Sequence, residues 1–123
     1  MTYTEAVQYL FSQLPMFHRI GEAAYKANLD NALYLDKYFE YPHRNYRTIH
    51  VAGTNGKGSV SHMLAAVLQT AGYKTGLFTS PHLKDFRERI RIDGEMIPEA
   101  EIVQFVEKHK DIFAQVKPSF FEM

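Results

Sequence analysis

Apolar residues recur along this chain with two different periods, and the changes of period mark its elements. Val7, Leu10, Phe11 and Leu14 follow one another at helical spacing. Thr2 with Glu5 just ahead of them makes a capping box, so the pattern predicts an opening amphipathic helix ended by Pro15. Met16 to Ala27 sustains no period and reads as a loop. Asn28 is placed to cap a second helix carrying Leu29, Ala32, Leu33 and Phe39, which Pro42 stops. Tyr46 to Ala52 holds little charge beyond Arg47 and predicts a buried strand. From Ser59 the positions Val60, Met63, Leu64, Val67, Leu68 and Ala71 mark one helical face, with Gly72 as terminator. Thr75 to Phe78 reads as a second short strand. Ile90 and Ile92 then alternate with charged residues, and Gly94 turns the run toward Met96 and Ile97 as a small hairpin. Pro98 begins a helix carrying Ile102, Val103, Phe105, Val106 and Phe113. Strand, helix and strand at this spacing predict a right-handed βαβ unit, hence an α/β fold: a P-loop-type parallel sheet flanked by helices.

The junction between the first predicted strand and its helix carries the chemistry. Ile49-His50-Val51-Ala52-Gly53-Thr54-Asn55-Gly56-Lys57-Gly58-Ser59 is a β-prone run followed by a glycine-rich turn with one lysine and two hydroxyls. Such a turn lets successive backbone N–H groups point inward around a phosphate. The helix N-terminus adds partial positive charge, and the lysine adds a full one at the terminal phosphates. The loop departs from G-x-x-x-x-G-K-[ST]. Its first glycine is Gly53 where the standard spacing would place it at Val51, and Gly58 follows the lysine, which displaces the hydroxyl to Ser59. The alternative is a glycine-rich turn with an incidental lysine, but strand, loop and helix stand in the required order. The sequence therefore predicts a nucleoside triphosphate site made of Gly53, Thr54, Asn55, Gly56, Lys57, Gly58 and Ser59, with Lys57 as the catalytic cation.

Composition narrows the partners. The 123 residues are 46% apolar with nine Phe and eight Tyr, which suits one packed domain. Fourteen basic residues balance fourteen acidic ones, so nucleic acid and anionic membrane are not indicated and anion binding must be local. The absence of cysteine removes disulfides and thiolate metal sites and agrees with a reducing cytosol. No apolar run approaches the roughly 20 residues of a membrane span, and Met1 to Glu5 lacks the basic and apolar regions of a signal peptide. The ending, Lys117-Pro118-Ser119-Phe120-Phe121-Glu122-Met123, looks like the start of another buried element. An α/β domain also needs more than two parallel strands. Residues 1–123 are therefore expected to be the amino-terminal part of something longer.

These motifs resemble a known family. Gly53 to Ser59 is similar to the ATP loop of the Mur ligase superfamily, amide-forming enzymes that activate a carboxylate as an acyl phosphate. Thr79-Ser80-Pro81-His82-Leu83, then Phe86, Glu88-Arg89-Ile90, Ile92 and Gly94, resembles the folylpolyglutamate synthase and dihydrofolate synthase branch. Ala24-Tyr25-Lys26 and Ser119-Phe120-Phe121-Glu122 also fit that branch. The resemblance implies an ATP-dependent, Mg²⁺-requiring ligase of folate biosynthesis and one-carbon metabolism, with residues 1–123 the amino-terminal part of its ATP-binding domain. It would add L-glutamate to dihydropteroate or folates, as a cytoplasmic monomer, with these 123 residues inactive alone.

The resemblance further implies site residues. Ser80 would ligate Mg²⁺, compensating for the hydroxyl missing directly after Lys57; read alone, Ser80-Pro81 is an ordinary turn. Lys26, Ala27, Asn28, Ser119, Phe120, Phe121 and Glu122 would bind the pterin substrate. A flat heterocycle suits aromatic faces, and a carboxylate can accept N–H bonds from a 2-amino-pyrimidine edge. The alternative makes both phenylalanines core and Glu122 surface. All six histidines are left without a role, and Arg87, Glu88, Arg89 and Arg91 read as a solvated face. The rival functions are a Mur-type ligase of cell-wall precursors, a small P-loop kinase and a nucleotide-binding module.

Overall fold

The computed structural model describes residues 1–13 and 28–123. The expected loop from Met16, the helix end at Leu14 and Pro15, and the candidate residues Lys26 and Ala27 lie outside the described residues. In chain order the elements are α1 (Tyr3–Ser12), α2 (Asp30–Tyr38), a 3₁₀ turn (Pro42–Asn45), α3 (Lys57–Thr70) and β1 (Gly76–Phe78). A second 3₁₀ turn (Phe86–Arg89), β2 (Ile90–Ile92), β3 (Glu95–Met96) and α4 (Glu99–Val116) follow. They fall into two compact units: Met1–Thr48 with Val103–Met123, and Ile49–Ile102.

The first unit is helical. The capping box forms as the sequence predicts: Glu5 N–H donates to Thr2 Oγ1 at 3.2 Å, and Thr2 N–H donates to Glu5 Oε2 at 2.7 Å. The apolar stripe of α1 buries Ala6 and Leu10. Asn28 Oδ1 accepts from Asp30 N–H at 3.2 Å, satisfying a donor that the start of α2 would otherwise leave without an intrahelical partner. That helix ends at Tyr38, and Glu40 and Tyr41 already have positive φ (60° and 56°) before Pro42. The proline opens the next turn instead of stopping the helix. Leu35, Val106, Phe113 and Phe120 complete the core. Phe11 stacks on Phe120 at 5.2 Å and Phe39 on Phe105 at 5.9 Å. Burying one such side chain fully stabilises by roughly 1.5–3 kcal/mol.

The strand expected over Tyr46 to Ala52 does not form. No residue from 46 to 52 is in a strand, and Tyr46 and Ile49 are more than half exposed. An apolar run becomes a strand only when a neighbour takes its backbone hydrogen bonds and a layer covers its side chains. Among the described residues nothing does either. The parallel βαβ unit is therefore absent from the described residues. The α/β class stands, but the sheet of the second unit is antiparallel, in the order β1-β2-β3. Gly76 faces Ile92 and Phe78 faces Ile90; Arg91 faces Met96 and Ile92 faces Glu95. Asp93 and Gly94, with φ of 49° and 83°, make the tight β2–β3 turn, where both central residues need positive φ.

Helix α3 starts at Lys57, two residues before the predicted Ser59. It ends as predicted: Gly72 N–H donates to Gln69 O at 2.9 Å and Tyr73 N–H to Leu68 O at 3.0 Å, the bond pair of a Schellman motif. Its apolar face, however, is not core. Only Ala65 is buried, while Met63 and Val67 are 68% and 66% exposed.

Candidate nucleotide-binding site

Gly56 sits immediately before α3 with φ 78° and ψ 4°, a left-handed conformation that a side chain would strain. An added Cβ there would meet nothing within 4 Å, so the requirement is conformational and not steric. The first α3 backbone bond runs from Val60 N–H to Gly56 O at 3.0 Å. The N–H groups of Lys57, Gly58 and Ser59 therefore stand ahead of the helical ladder, where the helix dipole is positive. Lys57 turns its ammonium back onto the loop, donating to Gly53 O at 2.6 Å and Thr54 O at 3.3 Å. Every residue from Gly53 to Ser59 is exposed. The loop thus presents backbone donors and one fixed cation to solvent, an arrangement chemically suited to an anion.

Ser80 lies in the same unit, exposed on the loop that leaves β1. That loop is closed by the second 3₁₀ turn. Thr79 N–H donates to Arg89 O at 3.0 Å. The Glu88 carboxylate accepts from Leu83 N–H at 2.9 Å, Lys84 N–H at 2.9 Å and Asp85 N–H at 2.8 Å. These backbone bonds hold Glu88 down to about 2, against an ordinary value of 4.5. Arg87 grips Asp85 through Nε at 3.1 Å and Nη2 at 2.8 Å. Arg89, only 8% exposed, donates Nε–H to His82 Nδ1 at 2.7 Å, which places that ring's proton on Nε2. Burial lowers the Arg89 guanidinium below its ordinary range.

The run Arg87 to Arg91 is therefore not the solvated face that the sequence predicted. It is a half-buried network that shapes the Ser80 loop. A legible signal existed: Asp85 and Glu88 have capping-box spacing, and both bonds of the box are present. No group of three His, Cys, Asp or Glu that could hold a metal occurs among the described residues. The Ser80 hydroxyl is a hard oxygen and could supply one ligand to Mg²⁺, an ion that usually keeps several waters and takes phosphate oxygens as well.

Of the candidate substrate residues, Asn28 and Ser119 to Glu122 are described, and they lie in the helical unit. Phe120 is buried against Phe11, whereas Phe121 is 65% exposed and meets the Phe120 ring edge-on at 5.1 Å. Glu122 Oε2 accepts from Ser119 N–H at 2.7 Å and from Asn31 Nδ2 at 3.4 Å. Phe121 and Glu122, with Ala32, Leu35, Asp36 and Phe39, line an open groove of about 400 Å³. The structure thus splits the described part of the sequence set: Phe120 is core, Phe121 and Glu122 line the groove, and Asn28 accepts from Asp30 N–H just ahead of α2, whose N-cap is Leu29. Asn31 was missed, since a lone asparagine on a helix gives no signal of its distant partner.

No family model matches the chain. Folylpolyglutamate synthase of Lacticaseibacillus casei is 42% identical over 106 residues, covering 86% of this chain and 23% of that protein. The crystal structure of folylpolyglutamate synthase from Thermotoga maritima superposes with a TM-score of 0.82 at 38% identity, covering 98% of this chain and 27% of that one. A folylpolyglutamate synthase complex with AMPPCP and folate matches with a TM-score of 0.78 at 38% identity, over 99% of this chain and 30% of that one. The chain thus spans less than a third of the length of each of these proteins. Sequence and fold thus match those of folylpolyglutamate synthases over most of these 123 residues.

Proposed function

We propose that this chain is the amino-terminal part of the ATP-binding domain of a ligase that joins L-glutamate to dihydropteroate or folates. The observation that carries the reading is the turn at Gly56, which launches α3 with Lys57 at its first position and donor N–H groups ahead of the helix. In this reading a carboxylate oxygen of the pteroate or folate attacks the γ-phosphorus of ATP, and ADP departs. The glutamate amine then attacks the resulting acyl phosphate, losing a proton, and phosphate leaves. Transfer of this kind needs charge neutralisation and alignment more than covalent help. The N–H groups of Lys57, Gly58 and Ser59 hold phosphate oxygens, and the Lys57 ammonium exchanges the Gly53 and Thr54 carbonyls for them. Ser80 would supply one oxygen ligand to Mg²⁺, which would neutralise phosphate charge. Phe121 and Glu122 offer the pterin an aromatic face and an acceptor.

Lys57→Ala in the full-length protein tests this. Losing a charge contact made mainly in the transition state costs on the order of 10²-fold or more in rate. The expected result is a collapse of glutamate-dependent ADP release with the melting temperature unchanged. Turnover within a few-fold of the parent would remove Lys57 from the mechanism.

A further inference from the structure

The loop bearing Ser80 is fastened from both ends by two adjacent residues of one short turn. At one end Thr79 N–H is bonded to the Arg89 carbonyl at 3.0 Å. At the other, three consecutive backbone N–H groups, those of Leu83, Lys84 and Asp85, converge on the Glu88 carboxylate at 2.8–2.9 Å. Oε2 takes the first and Oε1 the other two. His82 meets the buried Phe86 ring at 6.2 Å and accepts from Arg89, but Leu83 is 93% exposed and Ser80 is exposed, so the stretch from Leu83 to Asp85 leans on Glu88. An ionised carboxylate offers only acceptors, so all three donors can be met at once. A glutamine would turn one of its two atoms into a donor facing a backbone N–H.

We propose that Glu88 is a positioning residue: it fixes the loop from Leu83 to Asp85 and thereby holds the Ser80 hydroxyl where the metal of MgATP takes it. This rests on the reading of Ser80 given above. Glu88 acts through the loop and touches no reacting group.

The test uses the full-length protein with Mn²⁺ as the metal probe and AMPPCP as the nucleotide, binding being followed by electron paramagnetic resonance. Amide exchange at residues 83–85 is followed in parallel. Partners that orient a metal ligand typically change affinity about 10- to 100-fold when lost, so Glu88→Gln should weaken Mn²⁺ by about tenfold. The KM for folate should stay within about twofold, and the three amides should exchange faster. Glu88→Gln should add nothing in a Ser80→Ala background, because both changes act on one ligand. Glu88→Asp, which keeps the charge but withdraws it by one methylene, should show a weaker form of the same defect and serves if the glutamine variant does not fold. If Ser80→Ala weakens Mn²⁺ but neither Glu88 variant does, or if the two defects add fully, Glu88 is merely structural and the inference is overturned. If Ser80→Ala itself leaves Mn²⁺ binding intact, the metal reading of Ser80 fails and this inference fails with it.

Discussion

In the unit of residues 1–48 and 103–123, Leu10, Leu35, Val106, Phe113 and Phe120 are each at most 8% exposed. In the unit of residues 49–102, α3 buries only Ala65 and leaves Met63 and Val67 about two-thirds exposed. Yet the apolar periodicity of α3 was as regular as that of α1. A hydrophobic stripe records which side of a helix can be buried, and says nothing of whether the cover lies within the same residues. Around the buried Phe86, what orders the second unit's loops is largely directional and polar. Three N–H groups meet one carboxylate at Glu88, and Asp85 and Arg87 pair beside it.

The largest expected effect breaks this comparison most directly. Phe113 is 2% exposed and packs against Phe105 and His109. Phe113→Ala leaves a cavity as well as losing transfer energy, and should destabilise the 123-residue chain by about 3–5 kcal/mol. Met63→Ser, on the exposed face of α3, should change its stability by no more than about 0.5 kcal/mol. Urea unfolding of both variants checks the pair. Equal midpoints would mean that the two units do not differ in how they use their apolar residues.

The same contrast explains what the sequence made legible. Local devices were readable because both partners sit within a few residues: the Thr2–Glu5 box, the Gly72 terminator, the Asp93-Gly94 turn, and the glycine-rich entry to α3. No strand forms at Tyr46 to Ala52 because strand formation is a property of neighbours, and an apolar run does not name its neighbours. The expected sheet direction fails with it. Charge alone makes the Arg87–Arg91 run look solvated, although the Asp85–Glu88 spacing already announces a cap. In the candidate substrate segment the sequence could not separate Phe120 from Phe121. Adjacent aromatics look alike until α1 places Phe11 against one of them.

A smaller effect sharpens the comparison inside the helical unit, where core and groove meet. Glu122 accepts from Ser119 N–H and Asn31 while lining the groove beside Phe121. Glu122→Gln in the full-length protein keeps the shape but loses acceptor capacity. If a pterin edge donates to this carboxylate, an unmatched donor costs roughly 1–3 kcal/mol, read as a raised KM for pteroate with the KM for ATP little changed. The melting temperature must be followed as well, because the turn at Ser119 loses part of its acceptor too. An unchanged pteroate KM in a folded variant would reduce Glu122 to a structural cap.

The smallest effect separates the units by acid. Glu88 is held at about 2 by backbone N–H bonds made only in the folded loop, against 4.5 for an ordinary glutamate. A carboxylate whose folded value is depressed contributes stability that is fully present above the unfolded value and is lost as pH falls through the folded one. The loop should therefore keep its order well below pH 4.5 and lose it only as the pH approaches about 2. Leu10, Leu35, Val106, Phe113 and Phe120 carry no titrating group; in their unit the Glu5 carboxylate is also held low by the Thr2 N–H, so acid should loosen the start of α1 but not this core. Amide exchange corrected for its intrinsic pH dependence would read both. Protection at Leu83, Lys84 and Asp85 should fade below about pH 3 while amides of α4 beside Val106 and Phe113 stay protected. Loss of the loop amides already near pH 4.5 would mean that the carboxylate is not holding them, and that the second unit's order has some other source.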